Sequence, residues 1–144
     1  VLSELPQKPA RALLMLQREV AERIAAAPPR MNLLAAAVQV WATPTVLMRL
    51  SPKDFSPAPK VDSAILSLAT KTAELTGAQT KRYYGCIRAL FKQPRKTALN
   101  NLRAGYPRAS IERIKTTLAA CRIAENARPQ DLPLSVLIKL ASYF

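Results

Sequence analysis

Between Lys81 and Arg122 stand eleven lysines and arginines, with Glu112 the one acid among them. Positive charge at that density attracts an extended anion, and nucleic acid is the leading partner. Arg95 and Lys96 follow Pro94, at the expected start of a helix, where unpaired backbone N–H groups add to the pull on a phosphate. Arg88 and Lys92 stand four apart, a spacing that puts both on one helical face and extends the same patch. Arg103 continues it. Asn100 and Asn101 are open to two uses: one bonding a sugar or base edge, the other closing a helix end. The run also fits a solvated basic surface with no ligand.

A second group lies at Phe55-Ser56-Pro57-Ala58-Pro59-Lys60. Pro57 and Pro59 fix φ and stiffen the segment, so whatever it presents is held in place. Lys60 is within reach of a phosphate, or is simply solvated. Asp62 and Ser63 are expected to satisfy the loop's own backbone. Arg18 and Arg23 suit either a nucleic-acid cleft or a helix surface.

Other chemistry is excluded. The chain has no histidine, and Cys86 and Cys121 are far apart, so no zinc knot and no Ser-His or Cys-His pair can be assembled. Both cysteines are expected to be reduced core residues. The three glycines, Gly77, Gly85 and Gly105, are too scattered for a Gly-x-Gly nucleotide loop. No apolar run approaches the about 18 residues of a membrane span, and nothing resembles a signal peptide, so a soluble, cytoplasmic protein is expected.

These groups sit in a chain of 144 residues, 49% hydrophobic, with a net charge of +13, which is large for one domain or a part-domain with a small helical unit. Ala10 to Gln17 is an apolar run that periodicity leaves open between strand and helix start. Val20 and Ile24 at helical spacing then predict a helix that Pro28-Pro29 stops, so strand followed by helix is the simplest reading. Asn32 caps a second helix expected to reach about Ala42, hydrophobic nearly all round and closed by Pro44. Thr45 to Leu50 and Val61 to Leu68 read as two strands joined by the proline loop. Residues 71–79 read as a linker within a polar stretch from Thr70 to Thr80. Beyond it come helices: one carrying Tyr83, Ile87, Leu90 and Phe91 on one face, one opened by Pro94 and running through Leu102, one capped by Ser110, and one from Leu134 to Tyr143.

Three stretches in order resemble the KsgA-type (RsmA) ribosomal RNA adenine dimethyltransferase family. Leu14-Met15-Leu16-Gln17-Arg18-Glu19-Val20-Ala21-Glu22-Arg23 looks like the strand-to-helix segment after that family's catalytic motif. Phe55-Ser56-Pro57-Ala58-Pro59-Lys60-Val61-Asp62-Ser63 is similar to its Phe-x-Pro-x-Pro-Lys-Val-Asp-Ser signature. Phe91-Lys92-Gln93-Pro94-Arg95-Lys96-Thr97-Ala98-Leu99-Asn100-Asn101-Leu102 resembles the basic and Asn-Asn-Leu element of its helical domain. The closing Arg128-Pro129-Gln130-Asp131-Leu132 also resembles the family's end. There are departures. Pro94 replaces the first of two expected arginines, and Asn32-Leu33-Leu34-Ala35 lacks an arginine usual before the matching Leu-Ser.

The resemblance implies an α/β plus α fold: residues 1–70 as the C-terminal part of a class I, Rossmann-like methyltransferase sheet, and 80–144 as a small all-helical RNA-binding domain. It implies an enzyme that uses S-adenosylmethionine, without a metal, to dimethylate N6 of adjacent adenosines in small-subunit rRNA or a pre-ribosomal particle. The family's donor loop and its Asn-Leu-Pro-Tyr type motif match positions upstream of Val1, so no catalytic or cofactor residue is assigned here, and this chain alone is expected to be inactive. Phe55 is the residue the resemblance assigns to stacking on the extruded adenine. A sheet without its preceding strands is expected to pair its open edge with the missing N-terminal half or in a homodimer. The alternatives are a non-catalytic RNA-binding or ribosome-assembly module and, more remotely, a DNA-binding helical domain.

Overall fold

The computed structural model of the chain describes residues 9–72 and 75–144. Among them, 9–26 with 38–72 make one compact unit, and 27–37 with 75–144 make a second.

The first unit is a three-stranded antiparallel sheet in the order β1-β3-β2, with β1 at Arg11–Gln17, β2 at Ala42–Leu50 and β3 at Ser63–Thr70. Leu14 faces Leu66 across β1 and β3, and Val46 faces the same Leu66 from β2, so the central strand has apolar neighbours on both sides. Ala64, Leu66 and Leu68 of β3 are buried. Helix α1, Arg18–Ile24, follows β1 without a break and buries Ala21 and Ile24. Its last carbonyls do not go unpaired: the Gln39 side-chain amide donates to Ile24 O and Ala26 O, both at 2.8 Å. The open reading of residues 10–17 thus resolves to a strand. β1 is an edge among the described residues, and Leu13 and Met15 on it are each 61% exposed.

Two expectations fail here. Helix α2 spans Leu33–Gln39 and does not reach Ala42, which already begins β2 opposite Thr70. Pro44 accordingly lies inside a strand instead of ending a helix; β2 is an outer strand of the described sheet, where a residue without an N–H is tolerated.

The second unit is helical: α3 at Gly77–Leu90, α4 at Ala98–Gly105, α5 at Ile111–Ala120 and α6 at Leu134–Ala141. Residues 27–37, which the sequence reading places with the sheet, pack in this unit. The buried Tyr83 hydroxyl donates to Ala36 O at 2.9 Å, and Met31 N–H donates to Gln130 O at 3.0 Å. Tyr83, Ile87, Leu90, Leu102, Ile114, Leu118, Leu137 and Leu140 form the core. Burial of such side chains stabilises by about 1.5–3 kcal/mol each. Thr76, inside the expected linker, precedes α3, and its N–H donates to Gln79 Oε1 at 2.8 Å; residues 73 and 74 of that linker lie outside the described residues. α3 and α4 run antiparallel, since Gln93 bonds Asn101 while Ala89 lies against Gly105.

At that crossing a Cβ added to Gly105 would overlap the Ala89 Cβ, which no rotamer change can move. Alanine gains about 1 kcal/mol over glycine in a helix, but a fixed steric overlap in a packed interface costs about 1–3 kcal/mol. Gly105→Ala is therefore expected to lower stability by up to about 2 kcal/mol in urea denaturation. A raised midpoint would mean that the two helices separate at no cost.

Candidate nucleic-acid interface

In the first unit the loop between β2 and β3 is built by short-range bonds. Ser51 N–H donates to Asp54 Oδ2 at 2.7 Å and Asp54 N–H returns to Ser51 O at 3.0 Å, closing one 3-10 turn at Pro52–Asp54. Phe55 follows in extended backbone, its N–H donating to Pro52 O at 3.3 Å. The residue is partly buried. Ser56, Pro57 and Lys60 are exposed and Pro59 is half-buried.

The far end of this loop is tied to the start of α1. Arg18 Nη1 meets Asp62 Oδ2 at 2.7 Å, and Arg18 N–H donates to Asp62 O at 2.9 Å. Asp62 therefore serves Arg18 and not the loop's own backbone, and Arg18 is committed to holding the loop. Lys60 has no ion-pair partner among the described residues.

In the second unit Arg88, Lys92, Arg95, Lys96 and Arg103 are all exposed, on or beside the α3–α4 hairpin. None has a side-chain hydrogen bond or salt bridge among the described residues. Arg95 and Lys96 do not open a helix. They occupy the turn before Thr97, whose hydroxyl caps α4 by accepting from Asn100 N–H at 3.3 Å. They precede the helix start instead of forming its first turn.

Asn101 leaves the group of RNA-facing candidates. It is 3% exposed, and its amide is fully used. Oδ1 accepts from Gln93 N–H at 3.0 Å, while Nδ2 donates to Gln93 O, Lys96 O and Thr97 O at 2.9, 3.3 and 3.1 Å. Asn101 is the clamp of the turn that displays Arg95 and Lys96. Asn100, its neighbour, is exposed. The signal was in the spacing: Ala98, Asn101, Leu102 and Gly105 recur at helical period on the inward face, while Asn100 and Arg103 share the outward one.

The remaining reactive groups are quiet. Burial pushes the Cys86 thiol up to about 12 against a hydrogen bond from Tyr106 that lowers it, and burial raises the Cys121 thiol with Lys139 opposing. Both are free, buried thiols with no thiolate character near neutral pH. Among the described residues no group of three His, Cys, Asp or Glu could hold a metal. No helix there is long and apolar enough to cross a membrane.

The model of the ribosomal RNA adenine dimethylase family matches residues 2–144. The chain belongs to that family. It is 38% identical over 135 residues to a ribosomal RNA small subunit methyltransferase A of Acidobacterium capsulatum, covering 90% of this chain and 46% of that protein. With its counterpart from Lactococcus lactis subsp. lactis it shares 34% over 132 residues, covering 90% and 45%. The chain thus spans about half the length of these relatives. Its fold is similar to that of a dimethyladenosine transferase from Plasmodium falciparum, with a TM-score of 0.77, 24% identity, and 96% of this chain against 58% of that one. The 23S rRNA methyltransferase ErmE gives 0.72 at 23% identity, over 97% and 56%.

All three glycines lie within α3 and α4. What the dimethylase sequence supplies here is one partly buried aromatic on a braced loop and, in a separate unit, an unpaired cationic turn held by Asn101.

Proposed function

We propose that this chain is the RNA-facing part of an enzyme that dimethylates N6 of adjacent adenosines in small-subunit rRNA with S-adenosylmethionine as donor. What supports the reading is the family match over residues 2–144, together with a Phe55 on the β2–β3 loop that is only partly buried. In this reading residues 9–26 and 38–72 are the last strands of a class I methyltransferase sheet, and further strands pair with the open edge of β1. Residues 80–144 act as the RNA-binding helical domain, joined to the sheet through a linker at 71–79. The partner is a pre-ribosomal particle in the cytoplasm.

The roles follow from elementary chemistry. An adenine inside a stacked helix cannot present N6, so it must be extruded at a cost of a few kcal/mol. Phe55 offsets part of that cost by stacking, and the cis Ser56–Pro57 bond and Pro59 belong to the loop that carries it. Lys60, Arg88, Lys92, Arg95, Lys96 and Arg103 contact phosphates, which supply affinity and register without reading sequence. Asn100 faces sugar or base edges.

Affinity for ribosomal RNA should fall linearly in log–log form with salt. Arg95→Ala with Lys96→Ala is expected to weaken binding and to flatten that slope by about one unit for each phosphate no longer neutralised. An unchanged slope would remove both residues from the interface. The enzyme is separated from a non-catalytic assembly module by joining this chain to the preceding half of the Acidobacterium capsulatum relative. A chimera that binds both donor and unmethylated small subunits yet transfers no methyl group would favour the module.

A further inference from the structure

A concavity of about 390 Å3 lies at the end of α4, lined by residues 105–109 together with Arg113 and Phe144. Sites that hold small ligands run from about 300 to 1,000 Å3, so it is large enough for one nucleotide. The Tyr106 and Phe144 rings stack there with centroids 4.2 Å apart and planes 22° from parallel. The Tyr106 backbone is held on both sides, its N–H donating to Leu102 O at 2.8 Å and its carbonyl accepting from Ala109 N–H at 3.0 Å. Arg108 is exposed with no partner among the described residues, and Arg113 gives one N–H to Tyr143 O at 3.4 Å, leaving most of its donors free. No aspartate or glutamate side chain lines the wall.

A flat π surface beside two guanidinium groups matches a ligand with a planar ring and an adjacent anion. We infer that this concavity takes one unpaired nucleotide of an RNA strand, its base against the Tyr106–Phe144 stack and its phosphate on Arg108 and Arg113. The inference rests on the reading of the chain as an RNA-binding one, and adds a second contact on the same helical unit: Gly105 on the rim touches Ala89, the neighbour of Arg88. A duplex cannot use the platform, because its bases are already stacked. The site therefore selects single strands.

The test measures binding of the 144-residue chain to a short single-stranded RNA, to the same sequence as a duplex, and to AMP. Tyr106→Leu is expected to weaken single-strand binding about fivefold or more, the low end of base–aromatic stacking. Arg108→Ala with Arg113→Ala should flatten the single-strand salt slope by about 0.7 for each phosphate set free and weaken duplex binding less than single-strand binding. Both arginines are exposed, so this double variant decides the matter even if Tyr106→Leu fails to fold, which circular dichroism would reveal. Unchanged single-strand affinity and slope in the arginine variant would overturn the proposal. If Arg95→Ala with Lys96→Ala weakens binding in the same assay, the wider interface survives that failure; if neither pair matters, both readings fall. Tighter binding of AMP than of the strand would assign the concavity to a free nucleotide and overturn the strand assignment.

Discussion

Asn101→Asp is expected to destabilise the helical unit by about 3 kcal/mol or more, a large part of the stability of an ordinary domain. The side chain is 3% exposed, and its Nδ2 donates to three carbonyl oxygens within 3.3 Å. An aspartate of the same shape would aim a charged oxygen at those three acceptors with no cation to compensate. Asn101→Ala is milder: it strands Gln93 N–H and leaves three carbonyls with one donor fewer, a deficit of about 1–3 kcal/mol. Urea denaturation followed by circular dichroism reads both. Protonation restores one donor to the aspartate, so its folded pKa is raised above the unfolded value near 3.9. The deficit should therefore be smallest below about pH 4 and grow as pH rises. At temperatures where Asn101→Ala remains folded, its RNA salt slope should move toward that of Arg95→Ala with Lys96→Ala, since the same turn is then without its clamp. A wild-type midpoint for Asn101→Asp at neutral pH would show that the amide is not holding the turn.

Where local chemistry decides the structure, the sequence was legible. Ser110 was expected to cap α5 and does, accepting from Arg113 N–H at 3.2 Å, because that bond needs no residue beyond the first turn. The two strands flanking the proline loop could be placed for the same reason. The errors fall where a distant partner overrides local preference. α2 reads as continuing through its apolar residues to Ala42, but Ala42 is taken by Thr70 across the sheet, and Lys71 N–H donates to Trp41 O at 2.9 Å. Pro94 looks like a first helical residue, yet Asn101, seven residues on, folds the segment from Gln93 to Thr97 into a turn and moves the helix start to Ala98. Arg18 was open between a cleft and a helix surface, and only the fold reveals its pairing with Asp62. The candidate site was legible as a set of residues more than as a set of roles. Phe55, the prolines and the exposed cations could be named from type and spacing, whereas Asn101 passed from ligand to scaffold because its burial depends on α3.

Phe55→Ala, placed in the chimera with the Acidobacterium capsulatum half, should cut methylation of small subunits by about two orders of magnitude while changing RNA affinity less than about twofold. The two effects separate because they arise from different contacts. On the proposed reading, affinity comes mainly from phosphates, which Phe55 does not touch, whereas the ring's stacking energy of about 1–3 kcal/mol is realised only when a base has left its helix. Losing it lowers the population of extruded adenine by about five- to 150-fold, and a base held loosely spends less of that time aligned with the donor. The fold should tolerate the change: the residue is partly buried, so the loss stays below the about 3–5 kcal/mol of a core phenylalanine, and the loop keeps its Ser51–Asp54 turn and its Arg18–Asp62 tie. Phe55→Tyr or Phe55→Trp preserves a π face and should retain most of the activity, which a purely structural role at this loop would not require. Methylation by Phe55→Ala at the unaltered rate would return Phe55 to an ordinary packing residue and leave the proline loop without a part in recognising the base.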